Sequence, residues 1–568
     1  MPTITVDAKR PLGPLPRPWT TFGYDELNWT YTPRGKRALK AFAQFAERPY
    51  HVRAHNLLTS GRGFSWPHWG SGNVYHEDAA GNPYYDWTTV DLVFDAYREV
   101  GFKPLVELGF TPKPLVPDGP ESELPFTRSP SQYGPYEAYQ WSLPPKDYAK
   151  WEELMFQLAR HCVERYGADE VATWYWELWN EPDITYWRGT VEQFCDLYDR
   201  TVAGLSRALP GILVGGPAVT GGERAVRFME TFLAHCATKQ TRLDFITFHT
   251  KGSAFGRSYA PLSDDGARFD WGPNDETKGR VPRRSPSRKK MLSEIRAHLR
   301  AAARHPQFRN LPVIVDECDP CVPAHFSRYD DPNFGFRNTS YYPTIMASVF
   351  KRLMDLNESL PDAPDVTLAT AWSFYFEGER FFEGFREFFT AENVELPVLN
   401  GYRLLGKLGG TRLALTSDAT WDINTLDALP GPEQDNGRLA DQEVDGLAAI
   451  DEQTGAVTVA LWFHADDQYA AAPAAAVTLA LHRLPFDPAR ATVRHWRIDE
   501  THSNAHTVWQ QMGRPQDPTP EQLAALKARQ GLEEGEVVQL TPAGDGAQVR
   551  LHLPLHSLSL LEVSPGRS

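Results

Sequence analysis

The fold of this chain is decided by the stretch Trp174-Tyr175-Trp176-Glu177-Leu178-Trp179-Asn180-Glu181-Pro182-Asp183. Its first residues are bulky and favour a β-strand, and the run ends abruptly at Asn-Glu-Pro-Asp. The pattern predicts a buried strand that brings the carboxylate of Glu181 to the edge of a sheet. Our working hypothesis is that Glu181 is a catalytic acid.

On both sides of this stretch, short apolar runs alternate with amphipathic segments, which is typical of repeated βα units around a parallel sheet. The predicted strands are Thr21–Tyr24, Tyr50–His55, Pro104–Leu108, Ala172–Trp179, Ile212–Gly216, Phe245–His249, Val313–Glu317 and Leu368–Phe374. The predicted helices are Thr88–Val100, one from Tyr148 to a stop at Tyr166-Gly167, Val191–Leu209, Glu223–Ala237, Pro286–Arg304 and Thr339–Leu356. Eight strands close a (β/α)8 barrel, so the sequence predicts an α/β fold of the TIM-barrel type.

Beyond about Gly410 the pattern changes to strands of period two, which is typical of a β-sandwich. These strands are Ala448–Asp451, Ala456–Phe463, Ala475–Leu481, Thr492–Ile498, Ala547–Leu553 and Ser557–Val563. A helix from Pro520 to Gln530, with Thr519 as N-cap, interrupts them. We expect residues 16–410 to form the barrel, residues 411–568 a β-sandwich, and residues 1–15 a strand that joins the sandwich.

The composition argues against several classes of partner. The net charge of −15 and the pI of about 5.6 disfavour binding to nucleic acid or to an anionic membrane. No apolar run reaches membrane-spanning length, and the N-terminus lacks a basic and apolar signal. We therefore expect a cytoplasmic protein, or a periplasmic or secreted one if a signal was removed. The basic cluster Arg280 to Lys290 is interpreted as a solvated loop that runs into a helix.

The aromatic and cysteine contents bear on the kind of site. The chain contains 17 Trp, which suits a site lined with rings for the apolar faces of sugars, although large barrels also contain many Trp. Its five Cys are an odd number for a disulfide framework. Cys318 and Cys321 form a C-x-x-C pair, and a structural zinc would need a second pair of ligands. We expect no metal or organic cofactor, and the sequence leaves open a redox or metal role for this pair, as well as monomer or homo-oligomer.

Reactive groups in a (β/α)8 barrel stand at the C-terminal ends of the strands. The polar or aromatic residues at the predicted ends are Arg53, His55, Asn180, Glu181, His249, Lys251, Asp316, Glu317 and Trp372. Two glutamates across one rim, Glu181 and Glu317, are the minimum that acid/base cleavage of a glycosidic bond requires. The histidines could instead be satisfied groups beneath the rim. Trp372 could be core or the floor of a sugar subsite, and Glu107 could be structural or functional.

The chemistry needs the two carboxyl groups in different states. A glycosidic oxygen leaves only when it is protonated, so one carboxyl must stay neutral while the other attacks or activates water as an anion. Glu181 is the better candidate for an acid whose pKa is raised by burial. Glu317, with Arg53 across the rim, is the better candidate for the ionised nucleophile. Retention or inversion depends on whether the carboxyls lie about 5 Å or about 7–9 Å apart, which the sequence leaves open.

These motifs resemble glycoside hydrolase family 39, the β-xylosidase and α-L-iduronidase family, over nearly the whole chain. The segments that carry the resemblance are His51 to His55, Gly101 to Phe110, Pro144 to Tyr148, Trp176 to Asp183, Gly215 to Pro217, Asp244 to His249, Ile498 to Asn504 and Trp509 to Gly513. The resemblance implies a retaining, exo-acting hydrolase that acts on oligosaccharides without a cofactor. It implies Glu181 as acid/base, Glu317 as nucleophile and Asn180 as the residue that holds the sugar 2-OH. Arg53, His55 and His249 would support the nucleophile and the first subsite.

The sequence departs from the family's xylosidase pattern in ways that bear on the sugar. Asp316-Glu317-Cys318-Asp319-Pro320 replaces Thr-Glu-Trp, and Lys251 stands where the lysine of the iduronidases binds the uronate carboxylate. Lys251 could equally pair with Asp319 or face solvent. Either Glu377 or Glu379 could grip sugar hydroxyls. We expect a β-D-xylosidase first, an α-L-iduronidase-like or α-L-arabinosidase activity as alternatives, and a non-catalytic carbohydrate-binding protein as the alternative of another class.

Overall fold

The structure is a computed structural model that describes residues 1–25, 27–59, 74–119, 140–253, 283–322, 326–374, 380–390, 392–429 and 441–566. Its strands are β1 (Thr3–Pro14), β2 (Thr21–Tyr24), β3 (His51–Ala54), β4 (Tyr75–Glu77), β5 (Pro83–Tyr85), β6 (Lys103–Leu108), β7 (Tyr175–Leu178), β8 (Leu213–Val219), β9 (Phe245–Lys251), β10 (Val313–Asp319), β11 (Val366–Ala369), β12 (Ala371–Trp372), β13 (Thr411–Ser417), β14 (Glu443–Ile450), β15 (Val457–His464), β16 (Ala475–His482), β17 (Thr492–Ile498), β18 (Glu533–Glu534), β19 (Leu540–Ala543), β20 (Gly546–Leu553) and β21 (Ser557–Ser564). Its α-helices are α1 (Pro33–Ala43), α2 (Thr88–Glu99), α3 (Tyr148–Tyr166), α4 (Ala168–Val171), α5 (Val191–Ala208), α6 (Glu223–Lys239), α7 (Arg288–Ala302), α8 (Tyr341–Ser359), α9 (Pro397–Gly406), α10 (Ile423–Ala428), α11 (Ala505–Gln511) and α12 (Pro520–Ala528).

One sheet is a parallel ring in the order β2, β3, β6, β7, β8, β9, β10 and β11. The eighth position is shared, because β11 pairs with β10 while β12, one residue further on, pairs with β2. This closes the ring and confirms the predicted TIM-barrel fold.

Local sequence signals account for the helices between these strands. Helix α3 begins where the side chain of Asp147 accepts the backbone N–H groups of Ala149 and Lys150. Helix α5 begins with a capping box, in which Thr190 and Gln193 satisfy each other's backbone N–H. The buried residues of both helices recur at helical spacing, so each turns an apolar face towards the sheet.

The fourth barrel strand is shorter than predicted, because Tyr175 rather than Ala172 is its first residue. The preceding residues form the one-turn helix α4, and the N–H groups of Thr173 and Trp174 still bond to carbonyls of that turn. At its other end, Trp179 has a left-handed backbone with φ of 71°, which terminates the strand. Strands β9 and β10 are longer than predicted and extend as far as Lys251 and Asp319.

The second sheet has the order β18, β17, β21, β15, β14, β13, β1, β16, β20 and β19, and its pairs are antiparallel except β1 with β16. Its two halves share one apolar core, formed by residues such as Ile4, Val6, Val459, Leu461, Val477, Leu479, Val549 and Leu561. The sheet therefore folds over itself as the predicted β-sandwich. Residues 1–15, 16–410 and 411–568 stay our proposed division of the chain.

A buried group of charges joins the two sheets, and we call it the interface cluster. It consists of Arg288, Lys351 and Arg352 from α7 and α8, with Asp441, Glu443, Asp445 and Asp466 from the β-sandwich. Arg288 is fully buried and Lys289 nearly so. Both residues lie in the predicted helix, but the expectation that they are solvated was wrong, because each of them finds acceptors on or beside the second sheet.

Two further observations concern membranes and cysteines. Within the described residues, no helix combines the length and the apolar character needed to cross a bilayer. The five cysteines are all buried and have free thiols.

Candidate active site

The residues predicted at the strand ends converge on one rim of the barrel, where they form a continuous set of contacts. We call the charged ones and their partners the rim cluster: Asp25, Arg53, His55, Glu107, Glu177, Glu181, His249, Lys251, Asp316, Glu317 and Asp319. Asn180 and Trp372 contact this cluster and are buried with it. Glu377 and Glu379 lie outside the described residues.

Glu181 stands just beyond the end of β7, on a backbone turned into the left-handed region with φ of 47°. This conformation is unfavourable for a residue with a side chain, and hydrogen bonds compensate for it. The N–H of Glu181 donates to the carbonyl of Ala218 over 2.8 Å, and the N–H of Trp179 donates to Leu108 over 3.1 Å. The side chain of Glu181 keeps 14% of its surface exposed, so a ligand can reach it.

Glu317 is the most heavily paired carboxylate of the rim cluster. Its Oε2 accepts Lys251 Nζ at 2.6 Å, while its Oε1 lies 3.4 Å from His55 Nε2 and 3.5 Å from Arg53 Nη1. Burial favours the protonated acid, but the neighbouring Lys251, His249 and His55 outweigh it and hold the pKa of Glu317 well below its usual range. Glu317 is therefore ionised at neutral pH.

The two glutamates approach one another closely. A carboxylate oxygen of Glu181, one of Glu317 and a ring nitrogen of His249 all lie within 4.8 Å of each other. Such a trio could bind a metal ion in principle. Here Lys251 already occupies Glu317, and His249 carries its proton at neutral pH, so the trio is poorly suited to a cation.

His249 connects Glu181 to the interior of the barrel. Its Nδ1 lies 2.9 Å from Glu181 Oε1 and its Nε2 lies 3.1 Å from Asp316 Oδ2. Burial lowers the pKa of His249, but the charges of Glu317 and Asp316 reverse this and raise it to about 10. The protonated ring donates to both carboxylates, so His249 holds Glu181 in place.

His55 has a similar setting on the other side of Glu317. Its Nδ1 is hydrogen-bonded to Glu107, and its Nε2 also lies 3.5 Å from Asp25 Oδ1. Burial lowers the pKa of His55, and Glu107 more than offsets this, so that the pKa rises to about 9. Both histidines are satisfied, as the sequence left open, and both also contact the carboxylate groups of the site.

Arg53 is fully buried and distributes its donors among several acceptors. Its Nε donates to Glu177 over 2.6 Å, and its Nη2 donates to Asn180 Oδ1 over 3.1 Å. The guanidinium lies 5.1 Å from the centre of the Trp372 ring, which also packs 4.4 Å from His55. Arg53 thus orients the amide of Asn180, and the Trp372 ring packs against Arg53 and His55.

Lys251 does not face solvent. Its Nζ is shared between Glu317 and Asp319, which lies 2.9 Å away, and the residue is 7% exposed. Asp319 also accepts Arg386 and the backbone N–H of Trp372. Of the alternatives that the sequence left open, the structure has Lys251 paired with Asp319.

Three members or neighbours of the site were missed by the sequence argument: Asp25, Glu177 and Arg386. Glu177 had a signal, because a charged residue within an apolar strand must be paired if it is buried. Asp25 follows β2 directly and could have been found by reading that strand end as the others were read. Arg386 had no such signal, since it lies in an irregular segment after the last barrel strand.

Comparison with known proteins places this arrangement in context. The family model described as "Glycosyl hydrolases family 39" matches residues 3–264 and 280–537. A β-xylosidase of Geobacillus stearothermophilus is 31% identical over 207 residues, which is 35% of this chain and 36% of that protein. An α-L-iduronidase of Canis lupus familiaris is 25% identical over 458 residues, covering 73% of this chain and 59% of that protein. The match thus spans about a third of the β-xylosidase's length.

Solved structures agree with the fold. A monomeric β-xylosidase from Caulobacter crescentus CB15 superimposes with a TM-score of 0.73 at 21% identity, covering 99% of each chain. A bacterial orthologue of human α-L-iduronidase superimposes with a TM-score of 0.71 at 21% identity, covering 99% of this chain and 84% of that one.

Proposed function

This chain belongs to glycosyl hydrolases family 39, and from that premise we propose that it is a retaining, exo-acting β-D-xylosidase. The family resemblance inferred from the sequence motifs is thereby confirmed. The substrate of the proposed reaction is a xylo-oligosaccharide, from whose non-reducing end the protein releases xylose during xylan breakdown.

The observation that carries this proposal is the close pair formed by Glu181 and an ionised Glu317. Retaining glycosidases hold their two carboxyl groups about 5–5.5 Å apart, and inverting enzymes about 6.5–9.5 Å apart, to leave room for a water molecule. Carboxylate oxygens within 4.8 Å of each other favour the retaining geometry. The unequal surroundings also support unequal roles, because Lys251 contacts Glu317 and His249 contacts Glu181.

In the proposed first step, Glu317 attacks the anomeric carbon while Glu181 gives its proton to the departing oxygen. The bond between sugar and leaving group breaks, and a covalent ester to Glu317 forms. In the second step, Glu181 takes a proton from water, whose oxygen attacks the same carbon and releases the sugar. Glu317 returns as a carboxylate, and Glu181 is protonated again.

The rim cations suit this cycle. When Glu317 becomes an ester it loses its negative charge, and Lys251 then has Asp319 as its remaining partner at 2.9 Å. When Glu181 loses its proton, its carboxylate accepts the Nδ1–H of His249 at 2.9 Å. The charge changes on Glu317 and Glu181 thus occur beside charged partners that are already in place, so the surrounding side chains need to move little during the reaction.

The test is nucleophile replacement. We expect Glu317→Ala to abolish hydrolysis of an aryl β-xyloside, and added azide or formate to restore part of it by attacking the sugar in place of the carboxylate. Glu164→Ala, on the exposed face of α3, is the matched control and should behave like wild type. A folded Glu317→Ala variant that keeps wild-type turnover would contradict the proposal. A folded variant that neither azide nor formate rescues would count against Glu317 as the nucleophile.

A second candidate is an α-L-iduronidase-like activity, favoured by the buried ammonium of Lys251 beside the nucleophile. The structure weighs against it in one respect. Lys251 is already shared between two carboxylates, and a uronate would have to compete with Asp319 for it. A neutral sugar requires no such exchange, which is why xylose is placed first.

A panel of aryl glycosides separates these candidates: β-xyloside, α-L-arabinofuranoside, α-L-iduronide, β-glucoside and β-galactoside. We expect the highest kcat/KM for the β-xyloside. If the iduronide is preferred instead, and Lys251→Gln lowers kcat/KM for the iduronide by a much larger factor than for the neutral sugars, the iduronidase is the correct assignment. Binding of xylo-oligosaccharides without hydrolysis of any member would indicate the non-catalytic alternative.

A further inference from the structure

We propose that Glu177 and Asp316, which face each other beneath the rim, share one proton, and that Glu177 acts in its neutral form as a positioning residue for Glu181 and Glu317. The positioning role rests on the proposed function. The shared proton stands on the structure alone, so the two parts can fail separately.

The surroundings of the two carboxyl groups favour this proton. Glu177 on β7 and Asp316 on β10 are both fully buried, and both contact the guanidinium of Arg53, at 2.6 Å and 3.4 Å. Two carboxylate anions have only acceptors, so a hydrogen bond between them needs a proton on one of the two. Within the described chain, Glu177 Oε1 and Asp316 Oδ1 have no hydrogen-bond partner, and a proton on one of the two carboxyl groups supplies the donor that both lack.

The charges around the pair favour one negative charge rather than two. The facing groups are Arg53 on β3, Glu107 on β6, His249 and the hydroxyl of Thr247 on β9, and Glu317 on β10. Only two of them are cations, and both also serve other acids of the rim cluster. A second anion in this pair would lack a cation of its own.

The proton is assigned to Glu177. Burial raises the pKa of Glu177 to about 8, since the attraction of Arg53 is too small to offset the burial and the charge of Asp316. Burial also acts on Asp316, but the charges of His249 and Arg53 outweigh it and hold the pKa of Asp316 below its usual range. At neutral pH, Glu177 is thus an acid that donates to the Asp316 carboxylate.

A neutral Glu177 explains how the deeper groups orient the reacting ones. Asp316 accepts His249 Nε2 at 3.1 Å, which leaves the opposite ring nitrogen to donate to Glu181. Arg53 meets Glu177 through Nε, and its two outer nitrogens point to Asn180 and Glu317. Loss of the proton would place a full negative charge 2.6 Å from Arg53 and would make Glu177 and Asp316 two neighbouring anions. We expect this to disturb the contact of His249 with Glu181 and the contacts of Arg53 with Asn180 and Glu317.

The first experiment measures the proton directly by infrared difference spectroscopy of the full-length protein. We expect a carboxylic acid C=O band at pH 6 that shifts in D2O, is absent in Glu177→Gln, and titrates with a midpoint near pH 8. Asp316→Asn should perturb the band, whereas Glu164→Gln, on the exposed face of α3, should leave it unchanged. A wild-type spectrum without any band that Glu177→Gln removes would overturn the shared proton, whatever reaction the protein catalyses.

The second experiment measures positioning through the pH profile. An aryl β-xyloside with a strongly activated leaving group is used, because its departure does not need the Glu181 proton. We expect Glu177→Gln, whose amide donates as the acid does, to lose only several-fold in kcat/KM at pH 6 and to lack the decline near pH 8. Glu177→Ala should lose about 100-fold, as expected for a displacement of about 1 Å at the reacting groups.

The two variants decide the positioning role together. A Glu177→Gln variant as impaired as Glu177→Ala, or one that keeps the wild-type decline near pH 8, would overturn it. If Glu177→Ala fails to fold, the comparison of wild type with Glu177→Gln still decides. If wild-type protein hydrolyses no glycoside, the proposed function fails while the infrared result on the shared proton still stands.

Discussion

The rim cluster and the interface cluster are both buried networks of opposite charges, yet they treat histidine in opposite ways. At the rim, surrounding carboxylates raise the pKa of His249 to about 10 and that of His55 to about 9. At the interface, burial and the charge of Arg288 lower the pKa of His464 to about 3. The same side chain is thus a cation in one network and neutral in the other. Carboxylates outweigh burial at the rim, whereas burial and Arg288 outweigh the acids around His464, although Asp466 lies 3.2 Å from its ring.

The two networks also differ in what their charges can do. Glu443 in the interface cluster accepts Arg352 at 2.5 Å, Ser348 at 2.9 Å and also Arg288, and it is fully sealed. At the rim, Glu181 is partly exposed and acids outnumber cations, since the cations are Arg53, His55, His249 and Lys251 against seven carboxyl groups. The sealed interface cluster, with four acids against three cations, holds two units together, whereas the more open and more acid-rich rim cluster is suited to proton transfer.

The largest effect expected from breaking the rim cluster is on the rate. We expect Glu181→Gln to lower kcat/KM about 10²–10⁴-fold for an aryl xyloside with a poor leaving group, because the departing oxygen loses its acid. The loss should be much smaller for a strongly activated leaving group, and the melting temperature should stay close to that of wild type. An equal loss for both leaving groups would contradict the role of Glu181 as acid.

Breaking the interface cluster should act on stability instead. We expect Glu443→Gln to lower the free energy of unfolding by about 3–5 kcal/mol, because Arg288 and Arg352 are left buried without their shared anion. Below its melting temperature the variant should hydrolyse substrate within a few-fold of wild type. Chemical denaturation and initial rates measure the two quantities.

Asp95→Asn is the matched control for Glu443→Gln, because it also breaks an ion pair but at an exposed position. It removes an ion pair with Arg165 on exposed helices, where both side chains keep about two fifths of their surface. Such exposed pairs contribute about 0–1 kcal/mol, so the change in unfolding free energy should be small. A loss for Glu443→Gln no larger than that for Asp95→Asn would show that burial of the interface cluster adds nothing to stability.

The histidines of the two networks should affect the pH dependence of the unfolding free energy in opposite pH ranges. The folded state binds more protons than the unfolded state where a pKa is raised, so the contribution of His249 is fully present below pH 6.5 and is lost as the pH rises towards 10. His464 has a lowered pKa, so its contribution is present above pH 6.5 and is lost as the pH falls towards 3.

We therefore expect His249→Gln to flatten the alkaline side of a stability profile and His464→Gln to flatten its acidic side. Urea denaturation at a series of pH values measures both sides, with wild type as reference. Should the two variants change the same side, the assigned protonation states would be wrong for at least one histidine.

Much of the architecture was accessible from local patterns. The apolar runs and helix stops located the eight barrel positions and six of the later β-strands, because a strand end or helix cap depends on neighbours within a few residues. The same patterns marked which polar residues end each strand, including Glu181 and Glu317. They missed the strands β13, β18 and β19 and the helices α1, α4, α9, α10 and α11. For α4 the reason is that a single turn leaves too few residues for a recognisable period.

Contacts across the barrel were beyond such patterns. Arg53 meets Glu177 over a separation of 124 residues and Glu317 over 264, and no local spacing connects these positions. The burial of Arg288 against Glu443, 155 residues away, was missed for the same reason.

What the sequence by itself determined is the set of chemical groups and the strand ends that carry them. Only the tertiary structure decided the distance between Glu181 and Glu317, the partners of Lys251, and which carboxyls and histidines hold a proton. The physical reason is that desolvation and Coulomb interactions depend on burial and on distance in space. Both quantities exist only once residues far apart in the chain have been brought together.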